Sequence, residues 1–166
     1  MGQLHRVVIA FCVALQLAAC AGTSVIESQS RQRDPRLARL YFLRQSGFMG
    51  AAIPAAEVKV DGATVGSVTT GSYFFVDRPP GLHKLSVQSG LSLAFETEAQ
   101  VEAGREYYFS VGVPKAGMPV QDLANQAYAG SSGQQMRGSF TGFSGAVLYS
   151  LAPSDGAAEI ARLKSP

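Results

Sequence analysis

The chain has 166 residues, of which 46% are apolar and 16% charged, and its formal net charge is +2. These values exclude a disordered chain of the low-hydrophobicity, high-charge type, and they lack the concentrated basic charge of a nucleic-acid-binding protein. With 18 Gly, 8 Pro and no Trp, the composition favours short strands joined by tight turns.

The N-terminal segment has the layout of a secretory signal peptide. His5 and Arg6 precede an apolar run over residues 7–17, which is broken only by Gln16, and small residues lead from it into Cys20. The run is shorter than the roughly 20 apolar residues that a membrane-spanning helix needs. We therefore expect residues 1–19 to be a signal peptide that is removed from the mature protein.

Residues 17–20, Leu-Ala-Ala-Cys, resemble the bacterial lipobox. The resemblance implies a diacylglyceryl group on the Cys20 thiol, cleavage before this residue and acylation of the new amino group. Two or three acyl chains, palmitate among them, would hold the protein at a bilayer, since each buried methylene contributes roughly 0.8 kcal/mol. Ala21 resembles an outer-membrane sorting signal, which predicts an envelope lipoprotein that faces the periplasm. The alternative is an ordinary signal peptide or an uncleaved anchor, with Cys20 incidental.

Residues 20–36 are expected to form a lipidated, flexible tether. They are polar and small and show no sustained periodicity. The arginines at 31, 33 and 36 would either touch anionic headgroups or be solvated in a linker. Cys12 leaves with the signal peptide, so the mature domain has no free thiol for a disulfide, a nucleophile or a metal site.

Residues 37–152 show the pattern of short strands. Apolar residues alternate or form short runs, and turn residues recur about every ten positions. The predicted strands are 38–44, 57–61, 64–68, 72–76, 82–88, 91–101, 105–113 and 145–151. This spacing predicts an all-β fold, an antiparallel β-sandwich of about seven strands of the Ig-like or transthyretin-like type. Residues 153–166 are expected to form a short C-terminal helix and tail, with Ser154 as the N-cap.

Two details of this pattern can be tested. Alternation over 91–101 places Leu91, Leu93 and Phe95 on the inward face. Residues 114–143 are rich in Gly, Ser and Gln and are predicted to be a long loop, in which Val120 to Tyr128 could form a short helical face.

Five motifs carry a family resemblance: ARLYFLR at 38–44, GFMGAA at 47–52, VDGATVG at 60–66, GSYFFV at 71–76 and PPGLHKLSV at 79–87. Their order and spacing resemble a bacterial lipoprotein family that is classed only as a domain of unknown function. The VDG and PPG motifs also resemble the β-sandwich modules of the PEGA and carboxypeptidase-regulatory type. The resemblance implies a small sandwich with no known activity and no assigned functional residues.

The sequence predicts no catalytic residue, no metal ligand set and no cofactor. His83 follows the Pro79-Pro80-Gly81 turn and is expected to hydrogen-bond across it rather than to join a catalytic or metal site. Glu96 and Glu98 share one strand face about 6.6 Å apart, which falls in the range of paired glycosidase carboxylates. A solvated strand face is the alternative that we favour.

Phe48 and Met49 are the candidate partner contacts, because apolar residues flanked by glycines in a loop can bind a partner; they can also fold over the end of the sandwich. The leading hypothesis is a non-catalytic module, anchored to the membrane through Cys20, that binds or scaffolds an envelope protein or glycan. The alternatives are a carboxylate-dependent hydrolase and a carrier of a small apolar ligand between the sheets.

Overall fold

The computed structural model describes residues 24–46, 54–114, 133–140 and 145–165. The chain forms two sheets and one short helix, and this confirms the predicted all-β sandwich with a C-terminal helix. The strands are β1 (Ser24–Val25), β2 (Ala38–Arg44), β3 (Ala56–Val60), β4 (Ala63–Val68), β5 (Ser72–Arg78), β6 (Gly81–Ser89), β7 (Phe95–Val101), β8 (Glu106–Gly112), β9 (Gln134–Gln135), β10 (Ser139–Phe140) and β11 (Val147–Leu151), and the helix is α1 (Pro153–Ile160).

The strands are divided between a six-stranded sheet A and a five-stranded sheet B. Their orders are β1-β4-β3-β6-β7-β10 and β5-β2-β8-β11-β9. All neighbours are antiparallel except β2 and β8, which run parallel. A parallel pair needs a long crossover connection, and the chain between β2 and β8 supplies it, since it contains β3 to β7.

Alternation along the strands builds the core. In β7, Phe95, Ala99 and Val101 are buried, whereas Glu98 and Gln100 are exposed on the outer face. Side chains of both sheets fill the space between them, among them the phenylalanines Phe42, Phe74, Phe95 and Phe109. A second, smaller cluster covers the outer face of sheet B: Leu43, Tyr108 and Leu151, with Tyr41, Tyr73, Ile160 and Leu163 packed against it.

The turns between strands follow the sequence prediction. Asp61 (φ 52°) and Gly62 (φ 81°) form the two-residue connection of the β3–β4 hairpin. Both residues have positive φ, which glycine adopts freely and aspartate tolerates.

Two local predictions were wrong. Leu91 is fully exposed (106%) and Leu93 is 43% exposed, because a turn that is closed by Ser92 N–H to Ser89 O (3.2 Å) precedes β7, which begins only at Phe95. Ser154 is not the N-cap. The helix begins at Pro153 after Ala152, with no side-chain cap, because proline sets the helical φ at the first position.

The part of the predicted tether that the structure describes, residues 24–36, is not free. It forms a strap along the side of the sandwich that carries β4 and β5: its own β1 is the edge strand of sheet A next to β4, and β5 is the edge strand of sheet B. Ser24 lies opposite Ser67 of β4. The Gln29 side chain donates to the carbonyl oxygen of Phe75 on β5 (3.0 Å) and accepts from its N–H (2.8 Å). The reason is the exposed backbone of edge strands, which the strap satisfies on both sheets.

The segment 114–143 is described only at 114 and 133–140. Within it β9 pairs with β11 and β10 pairs with β7, so residues 134–135 and 139–140 extend the two sheets instead of belonging to a loop. The predicted helical face at 120–128 lies outside the described residues. None of the helices in the described ranges is long and apolar enough to span a bilayer.

Candidate functional site

The two ends of the sandwich differ sharply in charge. One end, called the uncharged end, consists of the turns and strand flanks 45–46, 54–55, 69–71, 89–94, 113–114 and 145–146. These stretches contain no Asp, Glu, Lys or Arg. The opposite end, called the charged end, consists of residues 34–37, 61–62, 79–80 and 102–105. Its charged residues are Asp34, Arg36, Asp61, Glu102 and Arg105.

The strap is fastened near the charged end by a buried ion pair. Arg39 donates from Nε to Asp77 Oδ1 (2.8 Å) and from Nη2 to Asp77 Oδ2 (3.0 Å), and its guanidinium lies 3.9 Å from the centre of the Phe75 ring. Arg39 Nη2 also donates to the Arg31 carbonyl oxygen of the strap (3.1 Å). Because the hydrogen bond to Asp77 favours the charged guanidinium, it raises the pKa of Arg39 above its usual range.

A groove of about 500 Å³ opens beside the charged end, on the side of sheet B that carries α1. We call it the Tyr–Arg groove. Its lining residues are Arg33, Arg105, Glu106, Tyr107, Tyr108, Ser150, Leu151 and Pro153. The aromatic rings offer apolar surface, and the arginines and Glu106 offer hydrogen-bond donors and acceptors. Such mixed linings are typical of ligand-binding clefts.

The centre of the Tyr–Arg groove is held in place by hydrogen bonds. Glu106 binds Arg33 Nη1 through Oε1 (3.2 Å) and accepts from Tyr108 Oη through Oε2 (2.9 Å). The Tyr108 ring stacks on Tyr41 at 4.9 Å with an interplanar angle of 4°. Burial, together with the bond to Glu106, raises the pKa of Tyr108 well above its usual range. Tyr108 therefore remains a hydrogen-bond donor at any physiological pH.

A second unusual residue, Arg44, lies between the sheets at the uncharged end. It is 1% exposed, and its Nη1 donates to the Pro54 carbonyl oxygen (2.7 Å). Its Nε and Nη2 have no acceptor among the described residues. Burial lowers the pKa of Arg44 to about 10, so the side chain is a buried cation at neutral pH.

The predicted site residues Cys20, Phe48 and Met49 lie outside the described residues, so the structure neither supports nor opposes their assignment. His83 lies as expected: its Nε2 is 2.8 Å from the Pro79 carbonyl oxygen, across the turn. Its Nδ1 also lies 2.7 Å from Asp61 Oδ2.

Glu96 and Glu98 share the outer face of β7, as the alternation predicts. Glu96 Oε2 lies 2.8 Å from Lys84 Nζ, and Glu98 is exposed. A groove of about 420 Å³ runs beside them; its lining residues are Lys84, Glu96, Thr97, Glu98, Arg137, Gly138 and Ser139. The neighbour of Glu96 is a base rather than a second acid. Within the described residues, no three His, Cys, Asp or Glu side chains group as a metal site requires.

Sequence reasoning missed the Tyr–Arg groove, the Arg39–Asp77 pair and the burial of Arg44. The partners of each are distant in the chain: Arg39 and Asp77 are 38 residues apart. One hint was available for Arg44, because this arginine follows the apolar run 40–43 and has the inward parity of Leu40 and Phe42.

Comparison with known protein families identifies the family of this chain. Residues 35–122, 88 of the 166 residues, match the family described as "Protein of unknown function (DUF2846)". The chain belongs to this family, which spans β2 to β8 and the residues that follow. No curated protein matches the chain.

Proposed function

We propose that this chain is the precursor of a bacterial envelope lipoprotein, anchored through Cys20, whose sandwich domain binds or scaffolds an envelope protein or glycan. The observation that carries the proposal is the Leu-Ala-Ala-Cys motif at 17–20, directly after an apolar run of signal-peptide length. The resemblance of the strand motifs to a lipoprotein family and to PEGA-type modules supports it. Outer-membrane attachment, facing the periplasm, follows from Ala21.

The fold supports the binding of a partner at the surface rather than the transport of a small apolar ligand between the sheets. Side chains from both sheets fill the interior, which favours recognition at the surface over a ligand held between the sheets. The Tyr–Arg groove lies at the charged end, whereas β1 begins at the other end with Ser24. A domain attached at Cys20 therefore presents this groove away from its anchor.

The hydrolase alternative rests on Glu96 and Glu98. Paired carboxylates act as acid and base when their environments separate their pKa values. Here Glu96 is held by Lys84, with 43% of its side chain exposed, and Glu98 is exposed. This arrangement favours a non-catalytic strand face.

Lipid attachment is tested by metabolic labelling with a fatty-acid analogue. Wild-type chain in a proteobacterial host is expected to incorporate the label, and Cys20→Ser is expected to abolish incorporation. Cys12→Ser is the matched control, because this thiol lies within the predicted signal peptide and its loss leaves labelling unchanged. An intact Met1 start or an unmodified Cys20 thiol in the mass spectrum would refute the anchor.

Partner binding is tested by photo-crosslinking in living cells. A benzophenone amino acid replaces Ser150, an exposed residue that lines the Tyr–Arg groove, and replaces the exposed Thr64 of β4 as the control. We expect reproducible adducts of defined mass from position 150 and fewer from position 64. The binding role fails if position 150 gives no more adducts than position 64.

A further inference from the structure

The uncharged end holds the point where a lipid-anchored chain meets the fold. Cys20 is four residues before Ser24, and four extended residues span at most about 14 Å. Ser24 is opposite Ser67 of β4 and is hydrogen-bonded into sheet A from there onward. The folded domain therefore begins within about 14 Å of the acylated residue. Because the strap is part of the fold, the connection to Cys20 is no longer than these four residues.

The strand register shows at which end of the sandwich Ser24 lies. Ser24 pairs with Ser67, Ser67 with Glu57, and Glu57 with Gln88, so these four residues form one row across sheet A. The β6–β7 turn leaves the sheet directly beyond this row. With strands about 4.8 Å apart, the turn lies roughly 14 to 19 Å from β1 along the same end.

The β6–β7 turn carries two exposed leucines. Leu91 is fully exposed and Leu93 is 43% exposed, and the turn around them, residues 89–94, is uncharged. Leu82 is also exposed, but it stands alone on the other side, next to the charged end. Single exposed apolar residues are ordinary, whereas apolar residues grouped on an uncharged surface indicate an interaction site.

We infer that the uncharged end is a membrane-facing surface, with Leu91 and Leu93 of the β6–β7 turn inserted into the interface of the bilayer that holds the acyl chains of Cys20. This inference rests on the proposed lipid anchor and goes beyond it, since an anchor alone leaves the domain free to rotate. Insertion of the leucines provides a second point of attachment, which fixes the orientation of the domain relative to the bilayer. The Tyr–Arg groove at the charged end then points away from the bilayer.

The physical argument has two parts. The described turns of the uncharged end carry no charge that would lose its hydration on approaching lipid, whereas the charged end would have to desolvate residues such as Asp34 and Glu102. In addition, the short connection to Cys20 holds the leucines near the interface at high effective concentration, so even weak insertion persists. The exposed Lys164, whose N–H bonds to Gly71 O (3.1 Å), adds a cation beside this end for anionic headgroups.

The test uses a single tryptophan as reporter, because the chain contains none. The full chain is expressed as Leu91→Trp in a bacterium that processes lipoproteins. It is purified in detergent and reconstituted into phosphatidylethanolamine–phosphatidylglycerol vesicles with ordinary or brominated acyl chains. The matched control, Ala103→Trp, places the same ring in an exposed turn of the charged end. We expect quenching by brominated chains to be several-fold stronger at position 91 than at position 103.

A second pair of variants separates the native leucine from the introduced ring. Leu93→Ser in the Leu91→Trp background is expected to reduce quenching, whereas Leu82→Ser in that background is expected to leave it unchanged. If Leu93→Ser has no effect, the introduced ring alone inserts and the inference fails. Circular dichroism of every variant verifies that the β-fold is intact.

The outcomes separate this inference from the proposed anchor. Equal quenching at positions 91 and 103, or stronger quenching at 103, overturns the membrane-facing end. If such protein still floats with the vesicles and carries acyl chains on Cys20, the anchor stands without it. Protein that does not float and has a bare Cys20 thiol refutes the anchor, and the inference falls with it.

Discussion

The two ends of this sandwich are built on different principles. At the charged end, ion pairs and polar contacts join segments that are far apart in sequence: Arg33 reaches Glu106, and His83 reaches Asp61. At the uncharged end, the described turns carry no charge, and two leucines stand exposed on one of them. The difference shows that the charged end is joined by ion pairs between side chains, whereas the uncharged end is joined by hydrogen bonds to backbone carbonyl groups, such as Arg44 Nη1 to Pro54 O, and exposes two leucines.

This comparison predicts that substitutions near the charged end lower the free energy of unfolding. Arg39→Met should have the largest effect, because it leaves the Asp77 carboxylate buried without its partner, and such losses typically cost about 3–5 kcal/mol. The free energy of unfolding from urea denaturation measures it. Arg36→Met is the control, since Arg36 is 86% exposed in its pair with Asp34, and exposed pairs contribute about 1 kcal/mol or less.

A loss below about 1 kcal/mol in Arg39→Met would show that this pair behaves like an exposed one. The strap would then be held mainly by β1, by Gln29 and by the pairs Arg78–Glu27 and Arg33–Glu106.

The next effect concerns the packing of α1 beside the Tyr–Arg groove. A Cβ atom at Gly156 would lie 2.1 Å from Tyr108 Cγ and 2.5 Å from Tyr108 Cβ. Gly156→Ala should therefore push the helix off the tyrosine and lower the free energy of unfolding by about 1–3 kcal/mol, as overpacking does. Near-ultraviolet circular dichroism should show the change in the tyrosine environment.

Helix propensity alone predicts the opposite sign, because alanine favours a helix over glycine by about 1 kcal/mol. Ala158→Gly, at an exposed position of the same helix, calibrates that preference. A more stable Gly156→Ala protein would mean that α1 does not pack closely on Tyr108.

The smallest expected effect is a dependence of stability on pH at the β3–β4 turn. The hydrogen bond from His83 lowers the pKa of Asp61 below its usual 3.8, and the backbone N–H of Lys84 adds to this. A lowered carboxyl pKa contributes stability that is present above pH about 4 and is lost as the pH falls through the folded-state pKa. Wild type should therefore lose more stability than Asp61→Asn between pH 5 and pH 3.

Asparagine keeps the tolerance for positive φ that this turn requires, so the comparison isolates the charge. Thermal unfolding across this pH range is the measurement. The same pH series on His83→Gln should show a weakened dependence, because the main cause of the lowered Asp61 pKa is removed. A dependence that survives both substitutions would assign the acid sensitivity to other carboxylates.

Much of the fold followed from the sequence. Alternation and turn residues are local signals, and they placed β2 from Ala38 to Arg44 and the β3–β4 turn at Asp61 and Gly62. They misplaced the start of β7, because alternation continued by chance through Leu91 and Leu93 in the turn. A period-two pattern does not show whether a partner strand is present.

The candidate sites were predicted less well. The predicted hydrogen bond of His83 across the turn was confirmed, and it was predictable because Pro79 lies only four residues before His83. The Tyr–Arg groove brings Arg33 together with residues 105–108 and 150–153, and no local pattern relates these stretches. The proposed roles of Cys20, Phe48 and Met49 remain predictions.

The sequence by itself determined the longer strands, most of the turns and the candidate lipid attachment point, because each depends on residues close together in the chain. Only the tertiary structure decided that β2 and β8 run parallel, that residues 24–36 are a strap and not a tether, and that the two ends differ in charge. These features depend on register and on contacts between distant segments. An example is the pair of hydrogen bonds between Arg39 and Asp77, two residues that no local sequence pattern relates.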